Sequence, residues 1–384
     1  MSGIFDKFRK KSETKNERRY RRYLILGSDL YALRALHILQ NKFGKDEVAL
    51  LTDKKLSEED LKIFGPSSLR GQNDLEVLRK YFPAFEMESY DKANLFLKEG
   101  EWRAFGGRSK GETLLDGEDH YVANRVFYKD RDFFDKTIEK ESFDELQKLT
   151  FIRSAHKIYK QEPTDLVERA HWKVECVGGE VFECEHLIWA YSPERFMRAC
   201  DTKGAFSTEF IQACEKRDSK CVLYVRFKFS EKLTEMKETL YIPLSYTHEH
   251  GHFIGEFADM GEGQRAEFLH FIDKEQMSED EVAKRLRHLK KNFEKIFSNF
   301  DEQKTRDFVS LSENGGCRKI DNEEKTFSEN DFKNLFFIGE NALFSFCEQH
   351  KDLCEDSHQT SGFARAVLAN ELLVRSFKTA PTEG

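Results

Sequence analysis

The stretch YLILGSDLYALRALHIL, from Tyr23 to Leu39, decides the fold that this chain is expected to adopt. Its first four residues are apolar and run into Gly27, which is typical of a strand buried on both faces of a parallel sheet. Leucine then recurs at every third position, at Leu30, Leu33, Leu36 and Leu39. This spacing predicts one apolar face of a helix. A strand, a glycine turn and a helix predict the opening of a dinucleotide-binding βαβ unit, whose helix N-terminus offers N–H groups to a pyrophosphate.

The glycine fingerprint of such units, G-x-G-x-x-G/A, is only partly present here. Gly27 occupies the first position and would make the tight turn, Ser28 follows it, and Ala32 is an allowed third residue. The second glycine position, where backbone approaches the phosphates, carries Asp29. Two interpretations of Asp29 remain open. Its bulk and charge weaken the binding of a dinucleotide, or it is simply an N-cap that accepts N–H bonds from the first helical turn.

Composition narrows the class of protein. The 384 residues suit two domains or one large interleaved domain, and 39% hydrophobic residues with 35 Phe predict an aromatic-rich core. A net charge of −8 argues against general nucleic-acid binding, which needs a basic face. No apolar run reaches the length of a transmembrane helix, and no signal-peptide core is present near residue 1. The eight cysteines form no small disulfide framework, so we expect reduced thiols in the cytoplasm.

Residues 1–22 form a basic tail with nine basic and three acidic residues. Ile4, Phe5 and Phe8 are placed to form one apolar edge of a short helix. Weak attachment to an anionic membrane surface is one interpretation of this tail. The other, which we favour, is a solvated and disordered leader.

A second buried strand is predicted from Val48 to Leu51, and it is followed by Thr52 and Asp53. In the dinucleotide pattern an acidic residue near this point holds the adenosine ribose hydroxyls, and Asp53 lies 26 positions after Gly27. The alternative is that Asp53 starts a surface turn.

Two later strands are predicted to join the same sheet. The apolar run from His186 to Ala190 ends in Tyr191-Ser192-Pro193, which fits a strand that returns to a cofactor crevice. The run from Leu335 to Ile338 ends in Gly339-Glu340. A helix from about Ser361 then carries small residues along one ridge, at Gly362, Ala366 and Ala369.

Between these segments, residues 196–330 predict a second unit. The run from Cys221 to Phe229 alternates as a strand with one solvated face. A long amphipathic helix is predicted from Ser278 to Phe297, with a capping box formed by Ser278 and Glu281.

Three of these stretches, taken in order, resemble signatures of flavin-containing amine oxidase-like oxidoreductases, which are NAD(P)- or FAD-dependent. They are LILGSDLYAL at the start, EHLIWAYSP in the middle, and NLFFIGENA with SGFARAVLANELL at the end. The resemblance implies an α/β fold, in which a Rossmann-like FAD-binding domain (a parallel sheet with helices) is interleaved with a mixed α+β substrate domain. The FAD-binding domain would comprise residues 23–75, 150–195 and 331–378, and the substrate or cap domain residues 76–149 and 196–330.

The resemblance also implies roles for individual residues around FAD. Gly27 would make the phosphate turn, and Ala190 would lie near the adenine. Gly339 and Glu340 would hold the ribityl-pyrophosphate region. Gly362 would open the last helix, whose positive end stabilises negative charge on the reduced flavin.

Three features depart from the family pattern on the pyrophosphate and ribose side of the cofactor. Asp29 replaces the second glycine, and Thr52 stands at the acidic position after the second strand, so that only Asp53 is left to serve there. The glycine-arginine motif that usually follows this strand is absent, and residues 65–71 are only distantly similar to it.

A cysteine and histidine cluster near the C-terminus is a separate candidate. Its members are Cys347, His350, Cys354 and His358. On a helix these side chains would share a face, and the residue types suit zinc, although the spacing is not that of a usual zinc finger. A thiol beside the flavin is another interpretation, and unrelated polar loop residues, which we favour, are the third.

Three functions follow, in this order of preference. The first is an FAD-dependent oxidoreductase that transfers a hydride from an unidentified small substrate, such as an amine, to flavin. The second is a degenerate relative that has lost FAD and acts as a binding or scaffold protein. The third is a metal-binding module at Cys347–His358. The expected partner is a small-molecule substrate, without nucleic acid and without an integral membrane segment.

Overall fold

The computed structural model of the chain describes residues 18–57, 68–69, 72–81, 87–90, 94–104, 125–128, 140–161, 171–216, 220–244, 251–261, 263–315, 327, 329–344, 351–357 and 362–377. The strands are β1 (Arg18–Leu26), β2 (Val48–Thr52), β3 (Ser68–Leu69), β4 (Met87–Tyr90), β5 (Asn94–Lys98), β6 (Glu101–Ala104), β7 (Arg125–Tyr128), β8 (Thr150–Ile152), β9 (Ala155–Lys160), β10 (Trp172–Cys176), β11 (Val181–Trp189), β12 (Lys220–Phe229), β13 (Thr239–Pro243), β14 (His252–Met260), β15 (Gly263–Ile272), β16 (Thr305–Gly315) and β17 (Leu335–Phe337). The α-helices are α1 (Leu30–Phe43), α2 (Gln72–Tyr81), α3 (Lys140–Lys148), α4 (Pro193–Ala199), α5 (Thr208–Lys216), α6 (Glu279–Ile296), α7 (Lys351–Ser357) and α8 (Gly362–Ser376).

The first sheet has the strand order β8-β2-β1-β11-β10-β9, and β17 pairs with the second half of β11. The strands β8, β2, β1, β11 and β17 pair in parallel, whereas β10 pairs antiparallel with both of its neighbours, β11 and β9. The predicted strand, turn and helix at the start of the chain are confirmed. Every residue from Tyr23 to Leu26 is buried, and the four leucines of the predicted helix face are buried in α1, at Leu30, Leu33, Leu36 and Leu39.

The strand β1 begins at Arg18, earlier than the predicted Tyr23. Arg18 pairs with Val181, and the pairing with β11 continues to Leu26 opposite Trp189. The prediction of a disordered tail is therefore wrong for residues 18–22, because the strand partner that orders them lies far away in sequence. Residues 1–17 lie outside the described part of the chain.

Gly27 brings the ends of three parallel strands together. Its N–H donates to the carbonyl of Leu51 at the end of β2 (3.0 Å), and the N–H of Ala190 donates to the carbonyl of Leu26 (2.8 Å). A Cβ atom at Gly27 would lie 2.6 Å from the Cβ atoms of both Ala190 and Ala32. Only glycine therefore allows β1, β11 and α1 to approach this closely, at the carboxyl edge of the sheet where ligands of such folds bind.

The second sheet has the order β16-β12-β15-β14-β13-β5-β6 and is antiparallel except between β13 and β5. The helix α6 covers one face through an aromatic cluster that includes Phe227, Phe268 and Phe293. The predicted strand and long helix are confirmed as β12 and α6, and the Ser278 hydroxyl caps α6 by accepting the Glu281 N–H (3.4 Å). A small third sheet has the order β3-β7-β4.

The prediction that β12 has one solvated face is wrong. Arg226 on that face is only 1% exposed, and its Nε donates to the carboxylate of Glu267, which is equally buried. Arg265 lies 3.6 Å from the same carboxylate. On β14, Glu256 is also buried and accepts a hydrogen bond from the Thr239 hydroxyl (3.0 Å). Buried charges need such partners, so this polar row holds neighbouring strands of the sheet in register.

Helices from the predicted substrate segments pack differently from the predicted domain division. Phe143 and Leu146 of α3, and Phe210 of α5, lie in the same apolar cluster as β1 and β11. These segments therefore contribute to the core of the first sheet, although the sequence assigns them to the substrate domain. The predicted domain boundaries otherwise remain a prediction.

We expect Gly27→Ala to destabilise the protein by about 2–3 kcal/mol, because the new methyl group overlaps Ala190 and Ala32 and forces β1 and β11 apart. Gly204→Ala is the matched control, since a Cβ atom there meets nothing within 4 Å and the change stays within about 0.5 kcal/mol. Urea unfolding measures both free energies. Equal unfolding midpoints for the two variants would contradict this account of the turn.

Candidate functional site

A cavity of about 320 Å³ opens at the carboxyl edge of the first sheet, and we call it the edge pocket. Leu26, Leu51 and Trp189, from the ends of β1, β2 and β11, contribute to its walls. Asp53, Tyr191, Arg195, Arg153 and Arg198 are the principal polar and aromatic residues that line it. The pocket therefore combines apolar strand ends with arginine side chains, a mixture suited to a nucleoside-sized ligand.

Asp53 is fixed in this pocket by Arg195. The Arg195 Nη2 lies 3.0 Å from the Asp53 Oδ2, and the Arg195 guanidinium lies 3.8 Å from the centroid of the Tyr191 ring. The Tyr191 hydroxyl also accepts the backbone N–H of Asp53 at 3.4 Å and hydrogen-bonds the side chain of Ser28. Asp53 thus faces the crevice from the end of β2, where the sequence placed a ribose-binding carboxylate, and that role remains a prediction.

Thr52 takes no part in this pocket. Its side chain is fully buried, and its hydroxyl donates to the carbonyl of Lys54 (3.1 Å). Thr52 therefore closes the turn after β2, and Asp53 is the carboxylate that lines the pocket.

Asp29 is the N-cap of α1. Its Oδ1 accepts the N–H of Ala32 (3.0 Å), and its backbone is extended (φ −127°, ψ 177°), as the N-cap position requires. The N-cap interpretation is therefore confirmed. Burial is the main cause that raises the pKa of Asp29 to about 7, the hydrogen bond from Ala32 opposes this shift, and the nearby Glu340 carboxylate adds to it.

Tyr31 connects helix α1 to the loop after β17. Its hydroxyl donates to the Glu340 Oε1 (3.0 Å), which joins the first turn of α1 to the loop after β17. Burial, followed by the carboxylates of Glu340 and Asp29, raises the pKa of Tyr31 well above its usual value, so the phenol remains a donor. Asp29, Tyr31 and Glu340 together are called the crevice cluster below.

The sequence analysis missed Tyr31 as a site residue. The signal was present, because an aromatic hydroxyl occupies the residue before the third fingerprint position, in the first helical turn. Its partner was not visible from the sequence, since Glu340 lies 309 residues further along the chain.

The loop after β17 adds the other groups that the resemblance singles out. Gly339 adopts a φ of +107°, in the region that favours glycine, and a Cβ atom there would lie 3.4 Å from the carbonyl oxygen of Ala190. The Nδ2 of Asn341 is buried and makes no hydrogen bond within the described ranges. A buried amide donor without a partner costs about 1–3 kcal/mol, which a polar ligand would relieve.

The helix α8 is anchored to this loop through Arg365. Arg365 is completely buried, and its Nε donates to the carbonyl of Ala342 (2.6 Å) while its guanidinium lies 4.9 Å from the Phe344 ring centroid. Gly362 is the first residue of α8, with a φ of +52°. The structure thus places the N-terminal turn of α8 beside the loop that carries Glu340.

The predicted metal ligands are largely outside the described residues. Cys347, His350 and His358 fall in gaps of the described ranges, and Cys354 lies in α7 without a described side chain. Among the residues that are described, no three His, Cys, Asp or Glu side chains are grouped as a metal site requires. The metal hypothesis stays a prediction.

Comparison with known proteins shows the fold. No family model matches the chain, and no curated protein matches it in sequence. A solved structure of a putrescine oxidase variant, from a redesign of cofactor binding, superposes with a TM-score of 0.51 at 8% identity, covering 94% of this chain and 99% of that chain. An oxidoreductase from Methanosarcina mazei gives a TM-score of 0.50 at 8% identity, with coverage of 92% and 100%. The chain therefore shares the fold of these proteins.

The helices in the described ranges were also compared with the length and hydropathy that a membrane span needs. None of them is long and apolar enough to cross a bilayer.

We expect Tyr31→Phe to lower the free energy of unfolding by about 1 kcal/mol, because the hydrogen bond to Glu340 is lost at a buried position. Tyr159→Phe is the control, because the bond from its hydroxyl to Glu175 is long (3.4 Å) and lies on a partly exposed strand, so the predicted change is below about 0.5 kcal/mol. Denaturant unfolding compares the two variants. A larger loss in Tyr159→Phe would show that the crevice bond does not stabilise the fold.

Proposed function

We propose that this chain is an FAD-dependent oxidoreductase that transfers a hydride from an unidentified small substrate to flavin. One observation carries the proposal: the three stretches that resemble flavin signatures come into contact with one another at the carboxyl edge of the first sheet. Gly27 packs on Ala190, Gly339 lies against the carbonyl of Ala190, and Tyr31 reaches Glu340. Residues so distant in sequence converge in this way when a fold keeps a ligand crevice at the carboxyl edge of its sheet.

The described residues fit FAD at both ends of this crevice. The edge pocket would take the adenosine, with Asp53 toward the ribose and Tyr191 beside it. At the other end, the Asn341 amide, which has no hydrogen-bond partner among the described residues, and the N-terminal turn of α8 would lie toward the flavin. FAD would supply the hydride acceptor, and the positive end of α8 would stabilise the negative charge of its reduced form.

A second candidate function is favoured by the crevice cluster. Asp29 already accepts an N–H at the start of α1, and the Tyr31–Glu340 hydrogen bond joins the two walls between which the cofactor would lie. Two carboxylates at this place oppose a pyrophosphate by charge repulsion. A degenerate relative that has lost FAD, and that acts as a binding or scaffold protein, is the function that these contacts favour.

The two functions differ in the colour of the purified protein. We expect protein from a flavin-sufficient host to show the visible absorption of flavin and to release FAD on boiling. Added FAD should also raise the thermal midpoint, because a ligand at a hundred times its Kd stabilises the folded state by about 2.7 kcal/mol. A colourless protein whose thermal midpoint does not respond to FAD would contradict the flavoprotein proposal and favour the second candidate.

We expect Asp53→Ala to weaken FAD binding by about 10- to 150-fold, because hydrogen bonds from a ribose hydroxyl to a carboxylate are worth about 1.5–3 kcal/mol. The control is Asp259→Ala on β14, which breaks an ion pair of the same 3.0 Å length, to Lys232, outside the first sheet. Fluorescence titration of FAD gives both dissociation constants. Unchanged affinity in Asp53→Ala would remove this residue from the binding site.

A further inference from the structure

Asp29 and a bound pyrophosphate need the same end of α1. The N-terminus of a helix attracts anions through its N–H groups and its dipole. Here the Oδ1 of Asp29 accepts the Ala32 N–H at 3.0 Å. If FAD binds as proposed above, its phosphates share this helix end with the carboxyl group of Asp29, which already accepts an N–H there.

The groups around Asp29 come from three elements. Tyr31 lies on the same helix, Glu340 follows β17, and Lys54 follows β2. The Glu340 carboxylate disfavours a negative charge on Asp29, whereas the positive charge of Lys54 favours it. Burial outweighs both, and the pKa of Asp29 in the protein without ligand is about 7. Near neutral pH, Asp29 is therefore present in both its ionised and its neutral form.

A pyrophosphate that binds beside Asp29 shifts its protonation equilibrium toward the neutral acid. The crevice already contains the Glu340 carboxylate, which accepts its hydrogen bond from the Tyr31 hydroxyl. Adding two phosphate charges beside an ionised Asp29 would bring together several negative groups with little water between them. A proton on Asp29 removes one of these charges and adds a hydrogen-bond donor directed at the ligand.

We propose, building on the proposed function, that Asp29 holds FAD as a neutral acid, with one oxygen capping α1 and the protonated oxygen donating to the pyrophosphate. The O–H of Asp29 then contacts the pyrophosphate in the place where the backbone of the second glycine approaches it in the usual fingerprint. No covalent bond changes in this step. One proton passes from solvent to the carboxylate of Asp29 for each FAD bound by the ionised form.

Because FAD binding and protonation of Asp29 are coupled, the Kd for FAD must rise as the pH rises. The pKa of Asp29 lies at about 7 before binding and rises further when the phosphates arrive. Below about pH 7 the acid is already neutral, so the Kd for FAD is constant. Above about pH 7 a proton must be taken up, so the Kd rises about tenfold for each pH unit until the pKa of the complex is reached.

Asp29→Asn separates this role from the capping role. The amide keeps an oxygen that accepts the Ala32 N–H, and asparagine is as good an N-cap as aspartate. Its NH₂ group donates to a phosphate at any pH, so the variant should bind FAD with a Kd that does not change from about pH 6 to about pH 9. Asp301→Asn is the matched control: its Oδ1 also caps a helical turn, by accepting the Gln303 N–H at 2.9 Å in an exposed position.

The experiment is calorimetric titration of the full-length, flavin-free protein with FAD at about pH 6 and about pH 8.5, in two buffers of different ionisation enthalpy. We expect the wild type and Asp301→Asn to bind at least tenfold more weakly at the higher pH, with uptake of about one proton. We expect Asp29→Asn to lose both the pH dependence and the proton uptake.

The outcomes distinguish this inference from the proposed function. If the wild type binds FAD equally well at both pH values and takes up no proton, Asp29 does not act as a neutral acid, although the protein remains a flavoprotein. If neither the wild type nor Asp29→Asn binds FAD at either pH, the proposed function fails and this inference fails with it. If Asp29→Asn does not fold, as judged by circular dichroism, the proton count of the wild type alone decides.

Discussion

The close contact between Gly27 and Ala190 is the constraint on which the rest of the structure depends. Ala190 follows β11, and its N–H donates to the last residue of β1, so any side chain at position 27 would separate the two strands. The same turn sets the starting point of α1, because Ala32 also lies within 2.6 Å of the missing Cβ. Gly27 therefore sets the direction of α1. That direction determines where the positive N-terminal end of the helix points.

Ala190 is approached from a second direction by Gly339. The ends of β1, β11 and β17 therefore meet around one small residue, and each of the two loops that touch it does so through a glycine. Arg365 extends this arrangement to α8, because its buried guanidinium holds the carbonyl of Ala342 in the loop after Gly339. Two helix N-termini, those of α1 and α8, are thus linked to the same strand ends through short contacts. This geometry explains how signatures at opposite ends of the chain form one crevice.

The parts of this arrangement that the sequence predicts are those with local causes. The apolar run of β1 and the leucine period of α1 need no distant partner to be recognised, and the capping alternative for Asp29 follows from its place before the helix. Contacts made across the fold could not be predicted. Arg18 to Arg22 look like a charged tail until β11 pairs with them, and Arg226 looks solvated because alternation in a strand does not reveal what covers each face. Tyr31 and Glu340 are related only by the finished fold.

Because Asp29 caps helix α1, the fold of this chain does not require a bound cofactor at that helix end. The first turn of a helix has N–H groups that need acceptors, and with glycine at this position the phosphate of a ligand supplies one. An aspartate supplies the acceptor itself and contributes about 0.5–2 kcal/mol as an N-cap, so α1 is complete without any ligand. The same carboxyl group lies where a pyrophosphate would arrive, and its charge opposes that ligand. If this chain binds FAD, the protonation state of Asp29 sets how strongly its charge opposes the pyrophosphate.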